Sequence, residues 1–165
     1  MKNKLLIVLS LFNLSLAAFD VDRLVLPDGF KATLFANNLA SPRQIAEGKN
    51  GYIFVGSKEG KVYALKDNDK NGQIDDVRTI FDGLNDSSGV AYSNGSLFIA
   101  EINRVWRIDN IEDNLDNHSK KPLEKILVTD DLPSDQWHGR KWIMIDEDGS
   151  IVLNVGAPCN ICLKE

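Results

Sequence analysis

Only two of the 165 residues are cysteine, too few for the multi-bridge frameworks that staple small secreted domains, so stability has to come from a packed core. Basic side chains are outnumbered, with 19 Lys and Arg against 24 Asp and Glu and a formal charge of −5. That deficit argues against a surface built to neutralise phosphates and so against nucleic acid as a partner. Histidine occurs twice, at His118 and His138. Past the N-terminus no apolar run approaches the ~20 residues needed to cross a bilayer, and no helical periodicity is visible there. What is present is 43% hydrophobic and 26% charged residues, which rules out disorder and suits about one globular domain.

Lys2 and Lys4 open the chain, and Leu5 to Leu16 form an apolar run broken only by Ser10, Asn13 and Ser15. Ala17 and Ala18 close it with small residues, completing the three-part pattern of a secretory signal peptide. The run is too short and too polar for a membrane anchor. Residues 1–18 are therefore expected to be removed on export. Cleavage takes away two lysines and no acid, leaving a more acidic, soluble product from residue 19 onward in the periplasm or outside the cell.

Three segments share one plan: Ile45 to Gly56, Val90 to Ala100 and Ile143 to Asn154 each read as strand, turn, strand. Their turns carry Asn50-Gly51, Asn94-Gly95 and Asp148-Gly149, pairs that reach positive φ cheaply between β-branched and aromatic runs. A further strand follows the first two copies, at Gly60 to Leu65 and Arg104 to Ile108. The turn glycines recur close to the ~40–50-residue interval of a four-stranded propeller blade. An open β-sandwich would also give spaced hairpins, but these copies resemble one another in sequence as well as in period. The fold class is therefore all-β, a β-propeller of which about three blade cores are present. Propellers close with about 4–8 blades, so residues 19–165 are expected to be the first part of a longer protein.

Asp67-x-Asp69-x-Asn71-Gly72-x-Ile74-Asp75 matches the opening of an EF-hand loop, but Arg78 stands where the twelfth position requires a bidentate Glu. The stretch reads as an acidic hairpin tip of Asx-turns between Val62–Leu65 and Val77–Phe81, with a weak structural calcium site as the alternative. Cys159-Asn160-Ile161-Cys162 is no haem attachment, because Leu163 stands where His is needed. A local disulfide or two buried thiols are expected. His118 falls in the polar stretch Asn114 to Ser119, expected on an outer rim. His138, in Leu132-Pro133-Ser134-Asp135-Gln136-Trp137-His138-Gly139-Arg140-Lys141, precedes a strand at the position of a loop feeding a propeller's central channel. A histidine there suits general-base chemistry; the competing reading is a surface histidine in a polar loop.

An ordered series of motifs resembles the glucose/sorbosone dehydrogenase family: Leu26-Pro27-Asp28-Gly29-Phe30, Ser41-Pro42-Arg43, Phe54-Val55-Gly56-Ser57 with Gly60-Lys61-Val62-Tyr63, and Ser88-Gly89-Val90-Ala91. Leu132-Pro133 with His138-Gly139 and Val155-Gly156-Ala157-Pro158-Cys159-Asn160-Ile161-Cys162 complete it, the last being similar to the sorbosone-dehydrogenase-like branch. The resemblance implies an exported, six-bladed propeller that uses pyrroloquinoline quinone (PQQ) and calcium to oxidise a sugar or related aldehyde and passes electrons to a soluble acceptor. It implies that His138 is the general base, that Arg140 or Lys141 faces the anionic quinone, and that Pro158 and Asn160 approach the cofactor. It also implies that the cofactor-bridging calcium ligands come from later blades. Glucose-oxidising relatives carry a Gln where this chain has Ser87 and Ser88. A non-catalytic binding module, or half-propellers that assemble with one another, are the alternative readings.

Overall fold

The computed structural model describes residues 20–117, 122–157 and 159–161. The expected signal peptide, His118, Pro158 and Cys162 lie outside the described residues. The chain divides into two compact units, Met1–Leu34 and Phe35–Glu165. In the first, Asp20 caps a 3-10 turn at Val21–Arg23 by accepting from Asp22 N.

The second unit holds three antiparallel sheets. β1 (Pro42–Glu47), β2 (Tyr52–Ser57), β3 (Val62–Lys66) and β4 (Asp76–Phe81) pair in chain order. β5 (Gly89–Ser93), β6 (Ser96–Ala100), β7 (Val105–Ile108) and β8 (Ile126–Thr129) repeat that order, and β9 (Ile143–Ile145) pairs with β10 (Ile151–Leu153). These are the all-β, blade-like meanders expected of a propeller. The first two hairpins turn through Asn50-Gly51 and Asn94-Gly95 with both central residues at positive φ, the conformation that matches the strand twist. The third differs. Asp148 stays out of the left-handed region, only Gly149 enters it at φ 85, and Asp146 N bonds Ser150 O at 2.9 Å, so the connection is one residue longer.

Strand residues alternate between two buried faces, which is why β2 and β3 read as almost continuous apolar runs. Phe54, Tyr52, Val62 and Ala64 meet Val90, Leu97, Ile99 and Ile108 between the first two sheets. On the opposite face of β2 and β3, Val55, Tyr63 and Leu65 are covered by Ala36, Leu39 and Ile74. Ala91, Ala100 and Val105 of the second sheet pack on Ile143, Ile145, Ile151 and Leu153 of the third.

β1, β5 and β9 open their sheets and lie side by side. Backbones approach closely there: Ser57 N bonds Ser87 O at 3.1 Å and Gln44 N bonds Ser88 O at 3.2 Å. The Gln44 amide bridges two sheets, donating to Ile143 O at 2.6 Å and accepting from Ile143 N at 3.0 Å.

The expectation of no helix is corrected by α1 (Ile111–Asp116). Six residues are too few for a periodic signal, yet Ile111 and Leu115, four apart, seat it on the first core. Two acids tie it to the first sheet: Glu112 accepts from Lys49 N at 2.8 Å, and Asp116 from Tyr52 Oη and Lys66 Nζ, both at 2.7 Å. Asn114 to Asp116, expected in a rim loop, are thus helical. Among the described residues no helix is long and apolar enough to cross a membrane.

Candidate active site

The loop that enters β9 carries His138, and the loop that enters β5 carries Asp86. In an antiparallel hairpin the entry to the first strand and the exit from the second share one end, so Asn154 to Ala157, leaving β10, reach the same place. His138 adopts a left-handed backbone, φ 55, with its carbonyl against Gly156, where a Cβ would lie 2.1 Å from His138 O. Its imidazole Nδ1 lies 3.1 Å from Ala157 O. A carbonyl only accepts, so this hydrogen bond requires the proton on Nδ1 and leaves the lone pair, the basic atom, on Nε2. His138 is exposed, and the Trp137 ring sits against it with centroids 5.1 Å apart.

Arg140 is held from the second sheet. Asp86 Oδ2 takes its Nε and Nη2, each at 3.2 Å, while Asp86 Oδ1 accepts from the Ser88 hydroxyl. The Arg140 carbonyl accepts from Asn154 Nδ2 at 3.1 Å, and Asn154 Oδ1 accepts from Trp142 N at 2.5 Å, locking the strand entry. Lys141, expected beside Arg140 at the channel, is instead turned inward and 1% exposed, with Nζ donating to Gly139 O at 2.5 Å. Burial pushes its ammonium below the usual lysine range. The two neighbouring cations thus differ in surroundings, Arg140 being partly exposed and Lys141 buried. Beneath the His138 turn lies a cavity of about 210 Å³ bounded by Pro133, Asp135, Trp137, Gly139 and Lys141 on the loop side. Asn160 is exposed, and Cys159 is disulfide-bonded.

Asp86 and Asn154 are not singled out by sequence: Asp86 meets Arg140 across 54 residues, and Asn154, the last residue of the third repeat, reaches back 14 and 12 residues to Arg140 and Trp142. Ser87 and Ser88, at the position of the relatives' Gln, are fully buried, and their carbonyls serve the joint between sheets. Away from this end, Asp67, Asp69 and Asp75 bring carboxylate oxygens within 4.8 Å of one another. Five of the six oxygens accept hydrogen bonds inside the loop, from Asn68 N, Asn71 N and Nδ2, and Gly72 N. Asp69 with Asn71 N, and Asn71 with Gln73 N, make Asx-turns of the kind expected at the hairpin tip.

Two four-stranded antiparallel meanders and a hairpin, with their first strands side by side, define a propeller-type fold. The solved structures it is similar to include Trichoderma reesei Carbohydrate-Active Enzymes Family AA12, at 19% identity and TM-score 0.69 over 82% of this chain and 35% of that one. The holo form of the pyranose dehydrogenase PQQ domain from Coprinopsis cinerea is also similar, at 15% identity and TM-score 0.62 over 78% of this chain and 31% of that one. The chain therefore shares the fold of about a third of each of these structures. In sequence it is 26% identical to an uncharacterized protein of Borreliella burgdorferi over 157 residues, 90% of this chain and 40% of that protein. The chain thus spans well under half the length of each of these relatives. No family model matches it.

Proposed function

We propose that the protein belongs to a PQQ-dependent oxidoreductase of sugars or related aldehydes, of the glucose/sorbosone type, in which His138 is the general base. The observation that carries this reading is the His138 hydrogen bond to Ala157 O, which fixes the Nδ1–H tautomer and keeps Nε2 basic in a fold shared with a PQQ domain. The residues present fit one side of such a cofactor. Arg140 keeps a third of its side chain accessible beside His138 and offers a guanidinium fork to a carboxylate. Asn160 is exposed on the neighbouring loop; Pro158 beside it is assigned by resemblance alone.

Bound PQQ supplies the two-electron acceptor that takes the hydride from the substrate carbon. His138 Nε2 takes the hydroxyl proton, so the alcohol or hemiacetal leaves as carbonyl or lactone and the charge on the imidazolium is shared with Ala157 O. Asp86 holds Arg140 in place and offsets its charge. Calcium is the metal this reading calls for, at oxygen ligands that the resemblance assigns to later blades. Export to the periplasm or beyond and a soluble electron acceptor belong to the same reading.

The test is dye-coupled oxidation of aldoses by a propeller completed with the later blades and reconstituted with PQQ and calcium. His138→Ala is expected to lower turnover by ~10²–10⁴-fold with PQQ affinity unchanged, whereas His118→Ala has no comparable effect. Equal turnover in parent and His138→Ala would refute the assignment.

A further inference from the structure

Among the described residues at this end, Lys141 is a buried cation that the chemistry above does not use. Its side chain is 1% exposed, and no carboxylate lies within ion-pair distance of it among the described residues. Its ammonium has three donors, and the bond to Gly139 O at 2.5 Å is the contact it makes to the loop. A buried ammonium without a counter-charge costs stability, and an apolar side chain of similar volume in its place is typically neutral or stabilising. A position that carries such a cost is expected to serve something other than the fold.

What the ammonium touches indicates the use. Gly139 immediately follows His138 and is fixed on its other sides as well: a Cβ there would lie 2.0 Å from Asp135 O and 3.0 Å from Ile102 Cγ2. Gly139 N bonds Gln136 O at 3.2 Å. The turn from Asp135 to Gly139 is thus closed above by its own backbone and held below by Lys141. That turn carries His138 at φ 55, a conformation costing an ordinary residue about 1–2 kcal/mol. The cavity under the turn leaves room for it to relax once the strut is gone.

We propose that Lys141 is a positioning residue: its ammonium, bonded to Gly139 O, holds the His138 turn in the geometry that keeps Nδ1–H on Ala157 O, at the expense of stability. Its link to turnover rests on His138 being the general base, whereas its effect on the imidazole does not.

The experiment compares the parent chain with Lys141→Met and Lys141→Leu, which keep apolar volume and remove the donors. Two readouts are taken: the melting temperature, and the nitrogen-15 signature of the His138 ring, assigned with a His118→Ala control. Both variants are expected to melt at or above the parent's temperature while His138 loses its single Nδ1–H tautomer. In the PQQ-reconstituted protein, kcat falls about 10–100-fold with KM for PQQ unchanged. A lower melting temperature in both variants, or a His138 signature identical to the parent's, overturns the proposal. If the parent completed with the later blades shows no PQQ-dependent turnover, the enzymatic reading fails, and the ring signature of the chain itself still decides the role of Lys141.

Discussion

Gly156→Ala isolates the contact on which the His138 geometry depends. Gly156 does not sit in the left-handed region, so alanine is acceptable to its backbone and the whole effect is one of space. The added methyl would lie 2.1 Å from His138 O, 2.9 Å from His138 Cβ and 3.0 Å from His138 C, where ordinary contact begins at 3.4 Å. The two segments must therefore separate by more than about 1 Å. Overpacking of this kind costs about 1–3 kcal/mol, which for a chain of this size lowers Tm by about 2–12 °C. Displacing a catalytic base by about 1 Å costs about 10²-fold in rate. Gly149→Ala is the control: Gly149 has φ 85 and nothing within 4 Å of its would-be Cβ, so it carries a conformational cost of about 1–2 kcal/mol without touching the site. Melting curves give the stability of each, the nitrogen-15 spectrum reports the His138 tautomer, and dye reduction reports turnover. If Gly156→Ala kept the parent's His138 signature and turnover, the contact would not govern the site.

Gln44→Ala removes the amide that satisfies both backbone groups of Ile143 across two sheets; unfolding in urea should show a loss of about 2–3 kcal/mol, and a loss below about 0.5 kcal/mol would mean water replaces it. Asp116 is held below the usual carboxylate range by the Lys66 ammonium and then the Tyr52 hydroxyl, and Lys66 is raised chiefly by the same pairing. A depressed carboxylate contributes stability above its unfolded value of about 3.8 and loses it as pH falls through its lower folded value. A raised lysine contributes below 10.5 and loses it as pH rises through its higher folded value. Asp116→Asn should therefore flatten both limbs of the plot of Tm against pH, modestly because the carboxylate is 44% exposed, and less in high salt. Limbs parallel to the parent's would show that the pair contributes nothing.

The hairpins were legible in the sequence because their signal is local: Asn50-Gly51 and Asn94-Gly95 name their turn type, and the flanking runs alternate. β8 was not, since Ile126 to Thr129 form a short run whose pairing with β7 is set by register, not by a turn. α1 escaped because one apolar pair at Ile111 and Leu115 gives no period. At the site, His138 stood out by its chemistry, but its tautomer depends on Ala157, nineteen residues on. Arg140 and Lys141 looked equivalent as adjacent cations; which one turns inward is decided by the phase of the strand entry. Asp86 carried no signal of its own, because it meets Arg140 only after two sheets have docked.

In each sheet the strands pair in the order in which the chain presents them, through connections that are mostly short. Such contacts close with little loop entropy, so each meander can organise soon after its own residues become available, without waiting for distant partners. The joints between meanders are of another kind: Gln44 to Ile143 and Asp86 to Arg140 link residues far apart in the chain. Where interactions of that kind form only after the rate-limiting step, weakening them speeds unfolding far more than it slows refolding. The long-range bonds that tie one meander to the next are thus gathered where the sheets meet at their inner strands, the same end that holds His138.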